Sequence, residues 1–173
     1  MKPIFLQTYR KEGIKRTLYR YFMNVYPAIF GTGVKILFIS NDWHEVHLRL
    51  GVNFWTRNYV GTIFGGSLFS ATDSFYMIML YNILGKEFVV WDKAAHIKFK
   101  RPGREKVYAK FHFSTEEIQH ISQSTREKGE SVFELKVNWL NSEGKTITEI
   151  DRFLYVATKD FYKKKMEAKG IVV

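Results

Sequence analysis

One run of residues with no polar side constrains this chain more than any other feature. Phe75-Tyr76-Met77-Ile78-Met79-Leu80-Tyr81 is apolar or aromatic at every position. A helix built from it has no face to give to water and must be enclosed by the rest of the fold. Upstream the run continues through Ser67-Leu68-Phe69-Ser70-Ala71-Thr72-Asp73 to a glycine pair, Gly65-Gly66, and downstream it reaches Leu84-Gly85. The pattern predicts one long helix over residues 65–84, opened by the glycines and closed by Gly85 as a C-cap. Residues 68–84 include Asp73 and Asn82, and they fall short of the ~20 apolar residues a membrane span needs. The helix is therefore expected inside a globular core, which places the Asp73 carboxylate in apolar surroundings, a costly arrangement.

Six segments supply the enclosure. Residues 33–40 are mostly apolar, and residues 45–52 alternate, with Val46, Leu48 and Leu50 opposite His47 and Arg49, which is strand periodicity. Asn41-Asp42 between them is turn chemistry. After the helix, residues 90–100 carry Ile97 and Phe99 inward and His96, Lys98 and Lys100 outward. Residues 107–113 set Val107, Ala109, Phe111 and Phe113 against Tyr108, Lys110 and His112, and Phe133, Leu135, Val137 and Trp139 alternate with polar neighbours. A last strand is expected over residues 145–157. Ser114 followed by Glu117 reads as a capping box opening a short helix that ends before Gly129. One enclosed helix with six strands is an α+β arrangement: a curved antiparallel sheet with one dry face and one wetter face.

Residues 9–26 read as an additional N-terminal helix. Ile14, Leu18, Phe22 and Val25 recur at helical spacing, Lys11, Lys15 and Arg16 lie largely off that stripe, and Pro27 ends it. A basic amphipathic helix either lies on a membrane or packs its stripe on the domain; the tyrosines and the stripe suit packing. The chain then divides into a helical extension at residues 1–27, the sheet-and-helix domain at 28–160, and a basic tail at 161–173 whose Lys163-Lys164-Lys165 run reads as solvated. A net charge of +10 favours anionic partners. The absence of cysteine removes disulfides, thiolate ligands and a Cys nucleophile. With no secretory-type apolar core near the N-terminus, a cytoplasmic location is expected. His44, His47, His96, His112 and His120 share no ligand spacing with nearby acids, and His47, His96 and His112 fall on outward strand faces. No metal site is expected.

The chemistry concentrates between Asn58 and Asp73. Paired glycines allow close backbone approach, and amides at a helix N-terminus can donate to an anion or a developing oxyanion. Asp73, two turns further on, is a base or a nucleophile, or else a carboxylate satisfied by neighbours such as Ser70. Asn58 either orients a reacting group or fixes its own loop by an Asx-type turn.

This order of elements, with Asn58, Phe64-Gly65-Gly66 and Asp73, resembles the hot-dog fold thioesterases, in particular the phenylacetyl-CoA thioesterase-like branch. The motif of that branch is an Asn, then His-Gly-Gly six residues on, then an acid nine residues after the His; the spacings here are the same. The wider wording, including Leu84-Gly85, Trp91-Asp92-Lys93 and Lys100-Arg101-Pro102-Gly103, is similar to an uncharacterised bacterial family of hot-dog proteins of the thioesterase type. The likeness runs from about Tyr21 to Ala157. It implies a hot-dog fold, with the six-stranded sheet wrapped around the central helix, and hydrolysis of acyl-CoA or acyl-carrier thioesters without a cofactor, coenzyme A being part of the substrate. By the same resemblance the Gly65 amide forms the oxyanion hole, Asp73 is base or nucleophile, and Asn58 orients water or carbonyl. It implies a homodimer or tetramer with sites shared between copies. Phe64 stands where the motif has His, which opens the alternative of a non-catalytic acyl-thioester or lipid-binding protein.

Beside these residues, Gly66, Asp92 and Lys93 are candidates to line the same cleft, the last two alternatively forming a surface ion pair. Lys100, Arg101 and Arg104 either hold the phosphates of coenzyme A or form a solvated basic turn. Nucleic-acid binding is suggested by charge and tyrosines alone; no recognisable module is present, and Glu45, Glu134, Glu149 and Asp151 fall among the basic residues of the outer strand faces. No nucleic-acid partner is expected.

Overall fold

The structure is a computed structural model and describes residues 3–170; the first two residues of the expected extension and the last three of the expected tail lie outside it. In chain order the elements are α1 (Ile14–Val25), α2 (Pro27–Phe30), β1 (Lys35–Ile39), β2 (Glu45–Leu50), α3 (Gly65–Ser70), α4 (Phe75–Leu84), β3 (Phe88–Phe99), β4 (Val107–His112), α5 (Thr115–Lys128), β5 (Glu130–Leu140), β6 (Thr146–Thr158) and α6 (Lys159–Glu167), with a 3₁₀ turn at Ile4–Leu6. The strands form one antiparallel sheet in the order β1-β2-β4-β5-β6-β3. β1 and β3 are its edges. The long partners β5, β6 and β3 build one wing, β1, β2 and β4 the other, and the wings meet at Tyr108 and Leu140.

The α4 helix sits in the hollow of this sheet, as its lack of a polar face requires. Phe75, Tyr76, Met79 and Leu80 are buried against strand residues such as Phe111, Phe113 and Leu154. Each such side chain removed from water contributes roughly 1.5–3 kcal/mol. Tyr76 lies edge-on to Phe111 and Phe113 and donates its hydroxyl proton to the Lys136 carbonyl at 2.7 Å. Trp139 Nε1 donates to the Leu68 carbonyl at 2.8 Å and ties α3 to β5. The capping box forms as expected: Glu117 N donates to Ser114 Oγ at 3.1 Å, and Ser114 N to Glu117 Oε2 at 2.7 Å.

Five expectations are corrected. The central helix is not continuous: it stops at Ser70 and restarts at Phe75 after a turn containing Ser74 at φ 62°. His47 is not outward but buried, because residues 3–13 cross that face of β2 and β4: Leu6 is buried, Phe5 meets Tyr108, and the Lys11 carbonyl accepts from Asn41 N. There Glu45 is buried with His47 Nε2 at 2.5 Å and Lys110 Nζ at 3.1 Å. Burial alone would raise the Glu45 carboxyl, but these partners hold it below the usual range. Phe99 is exposed rather than inward, because β3 is an edge strand whose outer side no strand among the described residues covers. The stretch after residue 160 is not simply a solvated tail. α6 packs Phe161 over Gly129, whose φ of 81° no larger residue adopts easily, and Lys165 pairs with Glu130.

The fifth correction concerns α1, whose apolar stripe faces outward. Asn24 bonds the edge of β1 on both sides of one residue, accepting from Ile36 N at 2.8 Å and donating to the Ile36 carbonyl at 3.0 Å. Arg20 pairs with Glu12 at 2.9 Å, and Glu12 accepts from Ile39 N. The polar side of the helix thus closes the β1 edge, which turns the apolar side outward. Pro27 also begins α2 rather than only ending α1, as its fixed φ suits a first helical position.

Candidate functional site

The loop between β2 and α3 is built by its own short polar side chains. Thr56 Oγ1 donates to the Gly51 carbonyl at 2.5 Å, and Asn53 Oδ1 accepts from Trp55 N at 2.8 Å. Asn58 uses both ends of its amide on Thr62: Oδ1 accepts from Thr62 N at 2.9 Å, and Nδ2 donates to Thr62 Oγ1 at 2.8 Å. Asn58 therefore fastens the loop. Ile63 N then donates to the Gly103 carbonyl at 2.8 Å, which docks the basic turn beside the entrance to α3.

The two glycines let aromatic rings lie directly against the backbone. A Cβ on Gly66 would stand 2.3 Å from the Phe64 ring, and one on Gly65 would stand 2.9 Å from Phe99 Cζ. At the head of α3, their amides have no acceptor within the helix. Gly65, Asn58, Phe99, Lys100 and Arg101 line one open cleft of about 360 Å³. Arg101 Nη1 donates to the Thr146 carbonyl at 2.7 Å, and Lys100 pairs with Glu149 at 3.1 Å. Arg104 lines a different hollow, with Glu105 and Lys106.

Asp73 lies in the turn between α3 and α4. This corrects the expectation of apolar surroundings: its side chain is 59% exposed, and the one that holds it, Arg152, is 4% exposed. Arg152 Nη1 donates to Asp73 Oδ1 at 2.7 Å, and Nη2 donates to Thr72 Oγ1 at 3.1 Å and to the Phe69 carbonyl at 3.2 Å. Its guanidinium also lies over the Phe69 ring. Ser70 does not serve Asp73; its hydroxyl donates to the Gly66 carbonyl. The left-handed conformation of Ser74 costs of order 1 kcal/mol for a residue with a Cβ. The arginine that ties down three groups of the turn offsets it.

Arg152 also approaches Asp92 at 3.7 Å. Burial pushes the Asp92 carboxyl above its ordinary range, Arg152 opposes this, and the charge of Asp73 adds to it. Asp92 and Lys93 do not pair, and β3 bulges between Asp92 and Ala94. Two groups result. One joins Asp73, Asp92 and Arg152; the other joins Gly65, Asn58, Lys100 and Arg101. Phe64, exposed, lies at the head of the helix.

The sequence reading missed Arg152. The signal was present: Arg152 falls in phase with Ile150, Leu154 and Val156, so a strand that buries those three must bury a guanidinium with them.

The sheet order, the enclosed helix and the glycine-opened entry define a hot-dog fold. A protein of unknown function from Pseudomonas aeruginosa, described as a probable thioesterase, superposes with a TM-score of 0.72 over 87% of this chain and 99% of its own, at 16% identity. A Haemophilus influenzae thioesterase matches with a TM-score of 0.59 over 86% and 93%, at 14% identity. The PaaI protein of the E. coli phenylacetic acid degradation operon matches with a TM-score of 0.54 over 81% and 92%, at 16% identity. No curated protein matches the sequence. Within this fold the chain belongs to the family described as a domain of unknown function, DUF4442, which matches residues 15–156.

Proposed function

We propose that the protein is a thioesterase hydrolysing acyl-CoA or acyl-carrier thioesters, with its sites shared between the copies of a homodimer. The observation that carries this reading is the exposed Asp73 carboxylate, held by the buried Arg152 at a strained break in the central helix. Strain and a buried positioning cation around an exposed acid suit a reacting group better than a structural one. Asp73 acts as base toward water or as nucleophile. The Gly65 amide donates to the thioester carbonyl oxygen as it gains negative charge, and the proton taken from water passes to the departing thiolate. No cofactor is needed for this chemistry. Lys100 and Arg101 lie beside Gly65 and suit the phosphates of coenzyme A.

The dimer rests on the β3 edge. At the opposite edge β1 is closed by Asn24 and Glu12, whereas β3 exposes Trp91 and Phe99 along a strand of twelve residues. An open apolar edge invites pairing with another strand. In this reading the Asp73 group of one copy acts together with the Gly65 group of the other.

Phe64, at the position of the motif's histidine, favours a second reading, binding of acyl thioesters without turnover. A panel of acyl-CoA substrates read by free-thiol release tests the first reading. Turnover on any member supports it. Absence of turnover together with a melting temperature raised by acyl-CoA establishes the second, and Phe64→His then tests whether an imidazole restores hydrolysis. No turnover and no thermal shift contradict both.

A further inference from the structure

The outward stripe of α1 is specified, not left over by chance packing. Ile14, Leu18 and Val25 are 82%, 64% and 69% exposed, and Tyr21 and Phe22 beside them are exposed as well. The opposite side of the helix is fixed by Asn24 on the β1 backbone, by the Arg20–Glu12 pair, and by Arg16 stacked over Trp43. Met23 and Tyr19 are the apolar residues it turns inward. Rolling the stripe into the protein would break every one of these contacts.

The stripe continues past the helix. Phe30 of α2 and Trp55 of the loop after β2 are exposed and border the same hollow as Tyr21 and Val25. That hollow, about 680 Å³, is lined by four basic side chains, Arg20, Lys35, Arg49 and Lys106, and by no acidic one. Lys11 and Lys15 are exposed at the start of the helix. An apolar ridge with aromatic residues at its border and cations around it matches a bilayer surface. On such a surface the ridge would enter the acyl boundary, with Trp and Tyr at headgroup level and the cations against anionic headgroups. No helix among the described residues is long and apolar enough to cross a membrane, so the contact is interfacial. The ridge stands on β1, at the far edge of the sheet from β3, so pairing of two copies through β3 leaves it uncovered.

We propose that the α1 stripe, with Phe30 and Trp55, docks this protein on anionic lipid bilayers, and that the basic hollow beside it receives lipid headgroups. The test is flotation of the full chain with phosphatidylcholine vesicles and with vesicles carrying roughly a third phosphatidylglycerol. Binding should be at least ~10-fold stronger to the anionic vesicles and should weaken as salt rises from about 0.1 M to about 0.5 M. Leu18→Glu with Phe22→Glu should abolish it while leaving the melting temperature unchanged, since both positions are exposed. A second readout does not depend on those variants: vesicles should shift tryptophan emission to the blue, and Trp55→Phe should remove the shift while Trp91→Phe retains it. Equal binding to both vesicle types, no binding to either, or retention of binding by the double variant would overturn the proposal. So would sedimentation showing that the double variant splits an oligomer, which would assign the stripe to a second copy.

Discussion

Arg152 enters the interior in phase with Ile150, Leu154 and Val156, and a guanidinium placed there needs partners to offset its lost hydration. It finds them in Asp73, Asp92, Thr72 and the Phe69 carbonyl, while its Nε is buried without a partner among the described residues. The two carboxylates are not equivalent. Asp73 reaches solvent, whereas Asp92 carries a carboxyl raised by burial. A folded-state value above the unfolded one means that the stability linked to this group is present below the unfolded value and is lost as pH rises through the folded one. Asp92→Asn should therefore raise the melting temperature at pH ~7, and the gain should shrink as pH falls toward the ordinary Asp value of ~3.9. Thermal melts of both proteins across that range measure it; a constant difference at all pH values would remove Asp92 as the source.

Most elements were legible because their sequence periods are strong. The strand at residues 107–112, the Ser114–Glu117 cap and the Gly85 and Gly129 ends appear where the pattern placed them, although Tyr108, expected outward, is buried. The break at residues 71–74 was not legible. The contacts that hold it come from Arg152, remote in sequence, while Ala71, Thr72 and Ser74 are all compatible with helix. The orientation of α1 was hidden for the same reason: an apolar stripe predicts burial, and the contacts of Asn24, Arg20 and Arg16 with residues outside the helix reverse it. At the site, the grouping of Gly65, Asn58 and Lys100 follows from the Ile63–Gly103 contact, which no local pattern announces. The break makes a direct prediction. Because Ser74 is left-handed, Ser74→Gly should cost little, whereas Ser74→Val should cost about 1–3 kcal/mol in denaturant unfolding. A continuous helix would rank the two the other way, with glycine costing about 1 kcal/mol and valine less.

The whole molecule has a closed edge and an open edge. Asn24 and Glu12 occupy the β1 backbone, while β3 presents Trp91 and Phe99. Sedimentation at low micromolar concentration should therefore find a species near twice 20.5 kDa. Trp91→Glu with Phe99→Glu should yield a folded monomer without turnover. A folded wild-type monomer would contradict the shared site. Whether Asp73 performs the chemistry is decided by Asp73→Asn, with kcat and melting temperature measured on one preparation. Asparagine keeps an oxygen for Arg152 but cannot take a proton or attack a thioester. A fall in kcat of at least ~100-fold is expected, the scale for losing a positioned acid–base group, with little change in melting temperature. Turnover per folded molecule equal to wild type, accompanied by lost stability, would contradict it.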